Sequence, residues 1–205
     1  MDRIYNEQGP DKFVPIAWYN RPGSNYTTPE AYARASYYGV NAWPWVFFDG
    51  VMSHRGAYPN EQNYLWYMSS FNIRRAAKAP LAVTFLQKQY GNGKVMVKVK
   101  VDLEEAIAAG HVCHIALWED KVGGHYRFVE RAATVKNVTI TGQGQNEEFT
   151  HEFTITSGWD EAKLGVSVWV QDPSGKETKN ARATTLESAH AVEPTSVGRV
   201  KALFR

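Results

Sequence analysis

Tyr38-Gly39-Val40-Asn41-Ala42-Trp43-Pro44-Trp45-Val46-Phe47-Phe48-Asp49-Gly50 is the stretch on which the fold turns. Gly39 is a stop signal for a helix that Pro29 opens and that runs through Ala31, Ala33, Arg34 and Tyr37. The run from Trp43 to Phe48 reads as a strand, and Asp49-Gly50 is a hairpin signal that returns Val51–Arg55 as its partner. Upstream, Phe13–Tyr19 is an apolar run between the breakers Gly9-Pro10 and Asn20-Arg21-Pro22-Gly23, and it reads as a buried strand. Downstream, a helix is expected over 60–77, with Tyr64, Met68, Phe71 and Arg75 along one stripe. Pro80 closes this first region, 1–79.

From residue 80 the hydrophobic period becomes two. Val95, Val97, Val99 and Val101 alternate with Lys94, Lys98 and Lys100, after a turn at Gly91-Asn92-Gly93. Further strands are expected at His111–Glu119, Tyr126–Arg131, Val135–Ile140, Phe149–Ile155, Leu164–Gln171 and Lys176–Ala183, with Gly-rich turns between them. Short strands at this spacing describe an antiparallel β-sandwich of immunoglobulin or fibronectin type over 80–185. The fold class is therefore α+β followed by all-β. Residues 186–205 form a tail with two readings, a free terminus or a docking strand presenting Val197, Val200, Ala202 and Phe204.

Composition narrows the function classes. Among 205 residues, 23 Lys+Arg stand against 21 Asp+Glu, and a net charge of +2 gives no reason to expect nucleic acid or an anionic membrane as partner. A single cysteine excludes an intrachain disulfide and a complete Cys-x-x-Cys pair. No apolar run reaches the roughly 18 residues of a spanning helix. The polar start, MDRIYNEQGPDK, has no signal-peptide core, so either the protein stays inside the cell or its true start lies upstream. Aromatic residues are abundant, with 7 Trp, 11 Tyr and 9 Phe, and imply packing and contact surfaces.

The order helix, Tyr38-Gly39-Val40, short loop, Pro44, apolar strand and turn glycine resembles the second half of a thioredoxin fold. That resemblance implies a cis bond at Pro44, with Trp43 and Trp45 flanking it in the loop that faces the redox pair. The whole order, a thioredoxin-like half followed by a sandwich with Leu117-Trp118-Glu119-Asp120 and Val170-Gln171-Asp172, resembles the secreted 28-kilodalton outer-membrane-protein-related family. It implies an extracellular, periplasmic or outer-membrane location. The Cys-x-x-Cys segment and its central strand are missing, and Met1–Gln8 matches only the last turns of the helix that follows them. Each buried backbone group left unpaired costs about 1–3 kcal/mol, so the gap must be closed. The flanking strands pair directly, the tail fills the slot in cis or from a neighbour, or an upstream segment supplies the strand.

Candidate chemistry is sparse. Cys113 lies mid-strand and reads as a small buried hydrophobe. In His111-Val112-Cys113-His114, alternation puts His111 and Cys113 on one face and His114 on the other, so a metal would need His125 or His151 from another strand. Glu104-Glu105 and Glu147-Glu148 read as solvated loops, and His54-Arg55 as surface. No metal and no cofactor is expected. These readings converge on a non-catalytic secreted or cell-surface protein that binds a protein partner or itself. Two alternatives stand beside it: a thiol–disulfide oxidoreductase whose Cys-x-x-Cys lies upstream, and a self-assembling extracellular subunit using strand exchange.

Overall fold

Val95, Val97, Val99 and Val101 point inward from one strand while its lysines pair outward, Lys94 with Glu152 and Lys98 with Glu148, and this alternation sets the larger core. A computed structural model describes residues 1–188 apart from Pro10 and Pro22. Among them are helices α1 (Asp2–Gln8), α2 (Pro29–Tyr38) and α3 (Asn60–Ala76). The strands are β1 (Trp45–Phe48), β2 (Met52–Arg55), β3 (Leu81–Gly91), β4 (Lys94–Leu103), β5 (Val112–Glu119), β6 (Val129–Asn137), β7 (Asn146–Thr154), β8 (Leu164–Gln171), β9 (Thr178–Thr185) and β10 (Glu187–Ser188). The proposed docking positions Val197, Val200, Ala202 and Phe204 lie outside the described residues.

Two four-stranded sheets, β10-β3-β4-β7 and β6-β5-β8-β9, form the sandwich. Leu117, Ile115 and Cys113 of β5 meet the β4 valines between them, with Leu164, Val166, Val168 and Val170 of β8. The segments expected as two strands, Tyr126–Arg131 and Val135–Ile140, merge into one strand, β6, that ends at Asn137, because Ala132–Thr134 continue the ladder with β5 past a bulge at Arg131 instead of turning. Glu147 and Glu148 belong to β7 rather than to a loop, and Glu147 accepts from the amide and hydroxyl of Thr139.

The first region is built otherwise than its apolar runs suggest. Among the described residues of that region, only β1 and β2 pair, as an antiparallel hairpin. Phe13–Tyr19 is not a strand of that sheet. Proline at position 15 has no N–H to give a ladder, and the segment instead forms a single parallel bridge, Ala17 to Val129, at the open edge of β6. The Ala17 amide donates to Phe128 O at 2.8 Å, and the Glu130 amide to Ala17 O at 3.0 Å. A small second core of Ile4, Phe13, Phe48, Tyr67 and Phe71 joins α1, α3 and the hairpin. Arg75 of the expected α3 stripe is exposed; its neighbour Arg74 turns inward instead.

Every residue of β8 is buried, so the sheet has no solvated face there. Its outer side carries Gly165, Ser167, Trp169 and Gln171, and the first region lies over it. Gly165 has no side chain because the Trp118 ring fills that space, and Trp118 Nε1 donates to Ser167 Oγ at 2.9 Å. The hairpin turn docks beside it: Thr178 N donates to Asp49 O at 2.8 Å, and Arg74 reaches both Asp49 (3.1 Å) and Glu177 (2.8 Å). Gly50 sits at φ +77° with the Lys176 carbonyl where a Cβ would be. Gly50→Ala therefore meets both backbone strain and collision and is expected to cost about 3 kcal/mol or more. Gly144→Ala, at φ +80° in open space, is expected to cost about 1–2 kcal/mol. Urea titration of both variants checks this; equal losses would contradict the docking of the turn.

Candidate functional site

The loop singled out by the sequence has its cis bond at Trp43-Pro44. Pro44 O accepts from Gly56 N at 2.8 Å, which ties the loop to the end of the hairpin. Trp43 is 57% exposed, yet its Nε1 donates to the buried Asn20 Oδ1, so a large apolar ring is held in one pose toward solvent. Trp45 turns the other way along β1. It stacks on Phe47 at 5.4 Å, and Phe47 stacks on Tyr38 at 4.5 Å. The Arg55 guanidinium lies 5.5 Å from the Trp45 ring, a cation–π contact. The indole, phenyl and guanidinium groups of β1 and β2 give the loop an aromatic and cationic contact surface.

The remaining sequence candidates are scattered. Cys113 is in the inter-sheet core, where burial, reinforced by the Glu147 charge, pushes its thiol up to about 12. The His111 Nδ1 lies 2.8 Å from Ala108 O, while His114 stacks on Trp169 at 4.7 Å on the opposite face. His125 is exposed against Tyr126, and His151 packs on Phe153. Among the described residues no group of three or more His, Cys, Asp or Glu is placed to hold a metal ion. Of the pair read as surface, Arg55 is exposed while His54 is half-buried: its Nε2 lies 2.7 Å from the buried Ser70 Oγ, and its ring stacks on Trp66.

A second constellation was not foreseen from the sequence. Arg34 of α2 reaches down onto the outer face of β8, among the rings of Trp18 (5.7 Å), Tyr37 (5.3 Å), Tyr38 (4.9 Å) and Trp169 (5.5 Å). Its terminal nitrogens donate to Gln171 Oε1 and Tyr38 OH, each at 3.0 Å, and its Nε–H is buried without an acceptor. Burial lowers its pKa from the ordinary arginine value. Beside it a cleft of about 290 Å³ opens, lined by Ala33, Arg34, Tyr37, Val112, His114, Val135, Gln171 and Pro173. The readable signal was the alternation in β8, which places Trp169 and Gln171 together away from the core.

At the other end of α2, Thr28 caps the helix by accepting from Ala31 N at 3.0 Å and donates its hydroxyl to Glu130 Oε2. The Glu130 carboxyl is buried and its Oε1 has no partner. Burial raises it to about 7, with Glu30 adding to the rise, while the Thr28 bond and Arg131 oppose it. His114 is shifted the other way, down to about 3, by burial and by the Arg34 charge, against a hydrogen bond to Gln171 that favours the charged ring.

No protein-family model matches the chain, and no curated protein matches it in sequence. Solved structures similar to it include a domain of the outer membrane lipoprotein Omp28 from Porphyromonas gingivalis, at 18% identity and TM-score 0.41, over 54% of this chain and 90% of that one. HBP35 of Porphyromonas gingivalis is similar at 14% identity and TM-score 0.46, over 64% of this chain and 47% of that one. OgpA from Akkermansia muciniphila is similar at 7% identity and TM-score 0.37, over 55% of this chain and 31% of that one.

The two shifted groups give a pH profile. Glu130 binds its proton more tightly folded than unfolded, so stability falls as pH rises from about 4.5 to about 7. His114 binds its proton less tightly when folded, so stability falls as pH drops from about 6.5 to about 3. Where the ranges overlap the two slopes cancel, leaving a broad optimum. Glu130→Gln removes the alkaline limb. Its stability is expected to match the parent near pH 4 and to exceed it by about 2–3 kcal/mol at pH 8. Urea unfolding at both pH values checks this, and parallel pH dependences would contradict it.

Proposed function

We propose that the chain is a non-catalytic protein of the cell surface or envelope that binds a protein partner through the Trp43–Pro44–Trp45 loop. The observation that carries this is Trp43, an exposed indole whose rotamer is fixed from behind by Asn20. A rigid exposed aromatic loses little entropy on contact, and tryptophan is enriched among residues that dominate interface energies. The neighbouring Arg55 and Trp45 supply a cationic and an aromatic flank.

The order α2, cis proline, β1, β2 and α3 supports reading residues 1–79 as a partial thioredoxin-like domain put to binding use. A redox role needs an accessible low-pKa thiol. Cys113, sealed between the sheets and raised by burial, does not meet that need. The surface location follows the resemblance of the sequence to the outer-membrane-protein-related family and the lipoprotein neighbour.

Panning a random-peptide phage library on the chain tests the binding role. Enriched peptides are expected to lose at least tenfold in affinity for Trp43→Ala, with thermal unfolding of the variant followed alongside because the change also leaves Asn20 Oδ1 without its donor. No enrichment, or peptides indifferent to Trp43→Ala, would count against the loop. A thiol reagent should leave Cys113 unmodified until the chain unfolds. Reduction of insulin disulfides at a rate that Cys113→Ser abolishes would overturn the non-catalytic reading.

A further inference from the structure

Arg34 is the one guanidinium among the described residues that is buried against rings and neutral acceptors instead of a carboxylate. Arg74, Arg127 and Arg131 all enter the structure on carboxylate partners: Asp49 and Glu177, Asp120, and Glu119. Arg34 has the amide oxygen of Gln171 and the phenol of Tyr38. Of the five N–H groups of an arginine, only two are used in this way. Arginine keeps its charge at any ordinary pH, and an uncompensated buried charge is costly.

The nearby groups leave that charge in place. His114 stays neutral through the physiological range. Tyr37 OH is spent on Pro173 O, and Lys176 Nζ donates to Tyr37 O at the rim. Asp172 is turned into its own loop, where the amide and hydroxyl of Ser174 bind it. The cleft walls are mostly apolar, from Ala33, Val112, Val135 and Pro173, with the faces of Tyr37 and His114. A volume of about 290 Å³ lies at the small end of ligand sites, room for a single ring or a short chain end.

We infer that the cleft between α2 and the β5–β8 face binds a single carboxylate carried on a compact apolar body, with Arg34 as its counter-ion. One resident cation with a planar donor fork suits a monoanionic carboxylate. Phosphate, with more charge and no apolar part, fits these walls poorly. The same chemistry comes from two sources, a small aromatic or alicyclic acid, or the free C-terminus of a peptide ending in an apolar residue. This site is separate from the Trp43 loop and does not depend on its role.

Calorimetric titration of the whole chain with benzoate, benzamide, inorganic phosphate and the tripeptide Gly-Gly-Phe, free or amidated, tests the inference. Trp18 and Trp169, beside Arg34, supply a fluorescence signal for the same event. Benzoate or the free tripeptide is expected to bind at least tenfold more tightly than its neutral counterpart and than phosphate; whichever is the tighter identifies the source. Arg34→Met should abolish binding. Because that variant removes contacts to Gln171 and Tyr38, Val135→Glu is the companion. Val135 is 53% exposed at the cleft, so the change leaves the fold intact while placing a competing carboxylate there. It should weaken binding at least tenfold, and Val135→Gln should not. Equal binding of acid and amide, preference for phosphate, no binding of either acid at millimolar concentration, or indifference to Val135→Glu would each overturn the inference.

Discussion

A strand buried on both faces must be covered on both, and β8 is buried at all eight positions. Its inner side meets the opposite sheet through Leu164, Val166, Val168 and Val170. Among the described residues, no second sheet faces its outer side. The first region of the chain serves that purpose, and the placement of α2, the hairpin turn and the extended Phe13–Tyr19 segment follows from it. Burial of apolar area contributes roughly 25 cal/mol per Å², so leaving Trp118 and Trp169 open to water would forfeit several kcal/mol.

The cover is polar as well as apolar, and that mixture makes the junction specific. Ser167 satisfies the Trp118 indole, Gln171 and Tyr38 hold Arg34, and Thr28 reaches Glu130. The Arg34–Gln171 and Thr28–Glu130 contacts fix the position of α2 along the sheet in a way that a greasy interface would not. The cost appears in two of the four buried side-chain atoms left without a partner among the described residues, Arg34 Nε and Glu130 Oε1. Both lie under the same helix. The tension at the junction is also where the chain has chemistry to offer: a cation beside a cleft at one end of α2, and a carboxyl shifted toward neutrality at the other.

Much of the sandwich was legible because its signal is local. The Val/Lys alternation of β4 has one reading, and the Asp49-Gly50 turn and the Pro29 to Gly39 helix carry their own punctuation. Phe13–Tyr19 was misread because an apolar run between breakers looks the same whether it pairs in a sheet or lies along an edge. Proline at position 15 was the clue, since it removes a ladder donor. Arg34 was passed over as one residue of a helix pattern. Its meaning depends on which face of β8 it meets, a contact between positions 137 apart in sequence. Small residues at positions 165 and 167 in a strand of large ones were the visible sign that something packs on that face.

Native-state hydrogen exchange of the intact chain reports whether β8 depends on the region that covers it. If the first region is the necessary cover of β8, the amides of α2 and those of β8 exchange through the same opening. Both then show protection approaching the global unfolding free energy, with one urea dependence. Rapid exchange throughout α2 while β8 stays fully protected would show that the sheet does not need its cover, and would contradict the account.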